Sequence, residues 1–229
     1  MIRPDFERCT ALATELLYKQ NIKGRILDVQ KLNYGEKTIT FDTIQNYALL
    51  TRSPLSNFYC EDKPILKDGC LLILGNNNYL VLYNAEINYW EHLNWTLAHE
   101  IGHIYLGHTK DEELEEIEAH FFAAQLFMPE YSLFMMSREH GRLYVWDLVE
   151  IFGVSPEAAR RRLKTMNNKN IFRASSIDKE IWTIQKERVD IYYSCGKDCH
   201  AYRNILDYSI YMANEFESEM RREMYAGAY

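Results

Sequence analysis

The residues that could do chemistry lie in Leu97-Ala98-His99-Glu100-Ile101-Gly102-His103-Ile104. An α-helix places the two histidines of this HExxH pattern one turn apart and about 40° apart around its axis. Imidazoles so placed can close on one Zn²⁺ at about 2.0–2.1 Å. Glu100 is offset from both, beside the ion and not on it, where a carboxylate can take a proton from water. The rival reading of the same residues is a solvated helix face, so their surroundings decide.

Those surroundings favour a metal. At about 100° per residue, Leu93, Leu97, Ile101 and Ile104 form one apolar stripe with Trp90 nearby, and the histidines point nearly opposite. One face is expected in the core while the other looks into a cleft. Gly102 costs about 1 kcal/mol in a helix relative to alanine, which points to close backbone packing there. Gly107 follows the last apolar residues and reads as the C-cap.

A catalytic zinc needs a third protein ligand and an open position. The metzincin ligand set is excluded, because Leu106 and Thr109 stand where its glycine and third histidine belong. His108 lies beyond Gly107 and reads as a loop or capping residue. The better source is the following acidic segment up to Pro129. Thr109 and Glu112 have capping-box spacing, and Pro129 should end the helix at about Met128. Leu114, Ile117, Phe121, Ala124 and Met128 define its expected buried stripe. Glu118 falls inside that stripe, while Glu112 and Glu116 point away and Glu113 and Glu115 sit at its edges. A buried carboxylate is costly unless paired or bound to metal, so Glu118 is the expected third ligand. The other four glutamates, and His120, are expected at the surface.

Elements that could position this site are legible on either side. Phe6, Cys9, Ala13, Leu16, Leu17 and Gln20 have helical spacing. Lys37-Thr-Ile-Thr-Phe41 alternates as a short strand, and Ile44 to Leu50 suggests a helix. Cys70 to Leu74 and Tyr79 to Tyr83 are strand-like, and Gly75-Asn-Asn-Asn78 between them makes a hairpin. A sheet edge there could hold an extended peptide by main-chain hydrogen bonds; either strand could serve. Residues 143–166 read helix, turn, helix, with Ser155 as N-cap and Pro156 as first helical residue. Arg160, Arg161, Arg162 and Lys164 would be the phosphate contacts if this element bound DNA. Three consecutive arginines cannot share one helix face, however, and Ala158, Ala159 and Leu163 read as packing positions.

The chain has 229 residues, 47% of them hydrophobic, and a net charge of −7. That balance argues against general nucleic-acid affinity. No stretch approaches the about 18 apolar residues of a membrane span, and the first residues lack the apolar core of a secretion signal. Five cysteines without such a signal fit reduced thiols in a cytoplasmic protein. Cys195, Cys199 and His200 suggest a second metal knuckle but supply one ligand too few for a structural zinc site. Tyr202 to Tyr225 reads as a final helix.

The HEIGH motif, the segment Glu118-Ala-His-Phe-Phe-Ala-Ala-Gln-Leu-Phe-Met-Pro129 and the later Phe152-Gly-Val-Ser155 together resemble the ImmA/IrrE family of metallo-endopeptidases, over roughly Leu71 to Leu163. Asn94-Trp95 replaces the arginine-phenylalanine usual ahead of Thr-Leu-Ala-His-Glu. The resemblance implies an α+β, zincin-like metallopeptidase domain, a small sheet packed on the HExxH helix, followed by a mainly helical region. Its domain would cover 1–166, with 167–229 a C-terminal extension. The implied ligands of Zn²⁺ match His99, His103 and Glu118, and the catalytic glutamate matches Glu100. The implied substrate is a helix-turn-helix transcriptional repressor of a mobile element or stress response. Two alternatives stand beside this reading: a regulator that binds its repressor without cutting it, and a DNA-binding protein using 143–166. Tyr105, Tyr131 and His140 are equally available as donors to a tetrahedral oxyanion.

Overall fold

A computed structural model of the chain describes residues 3–20, 26–60, 63–110, 112–166 and 174–194. The chain divides into two units, Met1–Arg188 and Val189–Tyr229; the site below belongs to the first, as does the fold apart from the last residues of the helix that ends at Ser194. Cys195, Cys199, His200 and the expected helix from Tyr202 lie outside the described residues.

Helix α1 (Phe6–Tyr18) starts at Asp5, whose side chain accepts from the Arg8 amide at 3.0 Å. After a 3-10 turn at Val29–Lys31 come strand β1 (Thr38–Thr43) and helix α2 (Ile44–Thr51). Thr43 caps α2 by accepting from the Asn46 amide at 3.1 Å. Strands β2 (Gly69–Gly75) and β3 (Asn78–Tyr83) then form the expected hairpin. Its tip, Asn76 and Asn77, takes φ of 52° and 59°, the left-handed geometry that asparagine tolerates and that matches strand twist.

The sheet has the order β1-β3-β2, with β1 parallel and β2 antiparallel to β3. β2 is therefore a terminal strand of the described sheet. Alternation splits its side chains between two faces. Cys70 and Leu72 join Leu80, Leu82, Ile44, Ala48 and Phe58 in a cluster under α2. Gly69 turns the other way, onto helix α3 (Trp90–Leu106): a Cβ there would meet Thr96 Cγ2 at 2.7 Å and Glu100 Oε1 at 3.0 Å.

α3 is the central element, with Leu97, Ala98, Ile101, Gly102, Ile104 and Leu106 all buried. It ends at Gly107, which caps it at φ 70° as its position predicts. Helix α4 (Glu113–Phe127) lies between α1 and α3. At their crossing, a Cβ on Gly102 would come within 3.1 Å of the Ala119 backbone, which is why glycine is needed there. Asn94 is buried inside α3 and bridges out of it, accepting from the Val29 amide at 2.8 Å and donating to the Leu27 carbonyl at 2.5 Å. Trp95 stacks on Phe127, ring centroids 5.8 Å apart. The Asn94-Trp95 pair thus fastens the 27–29 segment and α4 to the histidine helix.

Two expectations about α4 need correction. Glu112, not Thr109, is the N-cap, and it makes no side-chain cap bond. The buried set is Glu118, Ala119, Phe122, Ala123, Gln125, Leu126 and Phe127, while Ile117 is exposed. A helix covered from two sides has no single stripe, so a one-stripe reading of its phase was rotated.

Helices α5 (Glu130–His140), α6 (Val145–Phe152), α7 (Pro156–Met166) and α8 (Ser176–Ser194) follow. Ser155 caps α7, accepting from the Ala158 amide at 3.2 Å. Arg162 is 1% exposed. Its guanidinium donates to the Met128 carbonyl at 2.9 and 2.7 Å and to Gln125, with Glu130 3.7 Å away. Arg160 and Arg161 both pair with Glu157. The arginine run is therefore one packing residue and two surface ion pairs. Among the described residues, no helix is long and apolar enough to cross a membrane, and Cys9 and Cys60 are free thiols.

Candidate metal centre

The helical spacing of His99 and His103 brings their Nε2 atoms to 3.0 Å from each other. The carboxylate that the structure brings to the pair is Glu116, while Glu118, the expected third ligand, faces His108. Glu116 Oε2 lies 3.1 Å from His99 Nε2, and its Oε1 lies 3.3 Å from His103 Nε2. Hydrogen bonds from His103 and then His99 hold the Glu116 carboxyl well below the usual carboxylate range, against the opposing effect of burial. The ligand atoms of the three residues all fall within 4.8 Å of one another.

The chemistry of this donor set fits a zinc-type ion: two imidazole nitrogens, one carboxylate oxygen and access from solvent. The access comes from Glu116, whose side chain is 39% exposed, against 12% for His99 and 7% for His103. Glu100 is buried one residue beyond His99, with its carboxylate against Gly69 at the start of β2. The glycine leaves room for that carboxylate between helix and strand.

Glu118 is buried as expected, yet it serves a different contact. Its Oε2 lies 3.0 Å from His108 Nε2, and its Oε1 accepts from the Asp5 amide at 2.7 Å. His108 in turn places Nδ1 3.1 Å from His103 Nδ1. The physical reason for the exchange is the phase of α4. Two residues of helix separate Glu116 from Glu118 by about 200°, so only one of them can face α3's histidines from a given side.

His108 was missed by reading position alone. It follows the αL cap and looks like loop, but the reversal at Gly107 folds it back beneath the histidine helix, where it is buried. Its amide also donates to the His103 carbonyl at 3.0 Å. His120 is exposed as expected, although its ring centroid lies 4.3 Å from that of His99. Of the oxyanion candidates, Tyr105 directs its hydroxyl to the Tyr34 carbonyl at 3.4 Å, and Tyr131 packs beside Phe134.

A search of curated proteins finds no match to the chain. A family comparison does: residues 69–164 match the IrrE N-terminal-like domain of the Peptidase_M78 family. That span opens at the glycine against Glu100 and runs through α3 and α4 into α7. The HExxH helix, the carboxylate helix and the strand beside them thus all lie within the span, 69–164, that is similar to the IrrE N-terminal-like domain of a metallopeptidase family.

Proposed function

We propose that the protein is a zinc-dependent endopeptidase with a zincin-like domain, in which His99, His103 and Glu116 hold the ion. The observation that carries this reading is the convergence of those three side chains next to a buried Glu100. When bound, zinc would supply Lewis acidity, making water more acidic and polarising a peptide carbonyl. Glu100, set beside the three donors and held against Gly69, is the general base. It takes the proton of the attacking water and returns it to the leaving amine. His99 and His103 would each hold the ion through one ring nitrogen.

The terminal strand β2 is the place to hold the substrate. The Asn84 amide donates to the Asp68 carbonyl at 2.9 Å, so Asp68 and Asn84 form a hydrogen-bonded antiparallel pair. Alternation along the ladder then turns the amides and carbonyls of Gly69, Leu71 and Ile73 away from β3. An extended peptide paired to that edge would run past Glu100. A flexible linker of a helix-turn-helix repressor, the substrate class implied by the family resemblance, fits an edge that needs an extended chain. In this reading the α6–α7 pair serves the domain by packing, supported by the burial of Arg162 and by the ion pairs of Arg160 and Arg161 with Glu157.

The test mixes zinc-loaded protein, and its Glu100→Gln variant, with the helix-turn-helix repressor encoded nearest the gene, and reads fragments by intact mass. A defined cut by the wild type alone is expected. Cutting by both proteins, or association without cutting by the wild type, would overturn the endopeptidase reading.

A further inference from the structure

We propose that a cavity walled by α1, α4, α6 and α8 binds a small free α-amino acid with a branched apolar side chain, of leucine size. The site is separate from the metal centre and does not rest on it. Leu126, in the cavity wall, lies ten residues beyond Glu116 on α4, about 15 Å along the helix. Every residue in the argument belongs to Met1–Arg188.

The α8 wall is sorted by polarity. Ile181, Ile184, Gln185 and Arg188 all line the cavity, and spacings of three and four put them on one face of the helix. The two isoleucines occupy one end of that face and the two polar residues the other. Leu17 of α1, Leu126 of α4 and Ile151 of α6, all buried, extend the apolar part of the lining.

The cavity gives the centre of a water molecule about 40 Å³ in which to move, where a single water needs about 10–15 Å³. That is room for about three waters, or for the carbons of a leucine side chain. Folded interiors contain few voids larger than one water. A larger one with an apolar lining and a few converging polar groups has the make-up of a ligand pocket. Its walls are also held from behind. The Leu27 carbonyl accepts from Asn94 of α3, and Phe127 stacks on Trp95.

The polar end defines the head group. Gln185 Oε1 is buried with no hydrogen-bond partner among the described residues. A buried acceptor left unpaired is costly, and an N–H on the ligand would satisfy it. Arg188 is half-buried, and its Nη2 donates to the Glu150 carbonyl at 3.0 Å. Burial lowers the Arg188 pKa against the opposing effect of Glu150. A guanidinium so deprived of water gains from a carboxylate, which its planar fork can meet with two N–H groups. An ammonium for Gln185 and a carboxylate for Arg188, joined to a branched apolar group, make an α-amino acid. A fatty acid lacks the donor, and a residue within a peptide lacks both charges.

The test titrates the full chain, labelled at its isoleucine methyl groups, with L-leucine and follows the methyl NMR signals. Ile151, Ile181 and Ile184 should shift together to saturation, while Ile73 on β2 stays in place. 4-Methylpentanoate lacks only the ammonium, and N-acetyl-L-leucinamide lacks both charges. Each should bind at least about tenfold more weakly, the weight of one hydrogen bond to a charged group.

Two variants separate the halves of the cavity. Gln185→Leu removes the acceptor at similar volume, so leucine should bind it no better than 4-methylpentanoate does. Ile184→Phe fills the apolar half and should abolish the shifts from both ligands, with circular dichroism reporting the fold. Gln185→Leu only replaces an unpaired group by an apolar one, so it decides the matter even if Ile184→Phe unfolds. No shifts at about 10 mM leucine, a concentration that fills even a weak site of millimolar Kd, would overturn the proposal. Equal affinity for leucine and N-acetyl-L-leucinamide would also overturn it, as would undiminished leucine binding by Gln185→Leu.

Discussion

Gly102 of α3 meets Ala119 of α4 backbone to backbone, at a separation that would put an added Cβ 3.1 Å from both the Ala119 Cα and its carbonyl oxygen. This contact sets the distance between the helix bearing the two histidines and the helix bearing Glu116. Glycine to alanine inside an exposed helix would stabilise by about 1 kcal/mol. Here the clash is with backbone, which cannot rotate away. Gly102→Ala should therefore destabilise by about 1–3 kcal/mol and weaken zinc binding as the helices separate. Urea unfolding and chelator competition measure the two effects; a gain in stability would contradict the packing argument.

Glu116 and Glu118 are expected to differ in kind as well as degree. Glu116→Ala removes a donor to the ion and should lower zinc affinity by more than the about 100-fold that limits an outer partner. Glu115→Ala should leave affinity unchanged, since Glu115 contacts the Lys110 amide at 3.2 Å and not the histidines. Metal content after dialysis against a weak chelator separates the two. Retention by Glu116→Ala would return the third-ligand role to another carboxylate.

The thiol of Cys9 gives a pH-dependent prediction. Burial, then the negative charges of Glu118 and Asp5, push its pKa up to about 12. The folded form thus keeps a proton that the unfolded chain loses above about pH 8.5. Its contribution to stability is complete below that value and lost as pH rises towards 12. Between pH 9.5 and 11.5, unfolding free energy should fall more steeply in the wild type than in Cys9→Ala, by about 1.4 kcal/mol per pH unit. Equal slopes would show that the thiol ionises freely when folded.

How far the site could be read beforehand follows from the kind of signal each residue leaves. His99, Glu100 and His103 are adjacent on one helix, so spacing alone places them together. The Gly102 contact, the Gly107 cap and the β2–β3 hairpin were legible for the same reason, each being a local requirement of backbone geometry. Glu116 was not, because choosing among five glutamates needed the phase of α4, and that helix is covered by both α1 and α3. His108 was hidden by the chain reversal at Gly107. The parallel pairing of β1 with β3 is a long-range fact that no periodicity encodes. In each case the missing information was which neighbour covers a face.

Arg162 should behave unlike the two arginines before it. Its removal leaves the Met128 carbonyl, Gln125 and Glu130 without their buried cation. Arg162→Ala is expected to cost about 3–5 kcal/mol, and Arg162→Lys should not restore it, because an ammonium cannot span the carbonyl and the amide as the guanidinium fork does. Arg160→Ala and Arg161→Ala should fall within about 0.5 kcal/mol of the wild type. Denaturant titration of the four variants reads this directly. Equal costs at all three positions would mean that α7 is not anchored through Arg162.

The edge of β2 offers a way to separate substrate holding from chemistry. The Leu71 amide faces away from β3, by the alternation that follows from the Asn84–Asp68 bond. Proline there removes no hydrogen bond of the ladder, and edge strands accept it at such positions. Leu71→Pro should stay folded and keep its zinc, because it replaces none of His99, His103, Glu116 and Glu100. It should nonetheless lose most of its cleavage, since a substrate strand would lack the donor at the centre of the edge. Leu72→Pro is the contrast: its amide points into the ladder with Leu80, so it should unfold the sheet. Undiminished cleavage by a folded Leu71→Pro protein would move the substrate off β2 and onto another wall of the cleft.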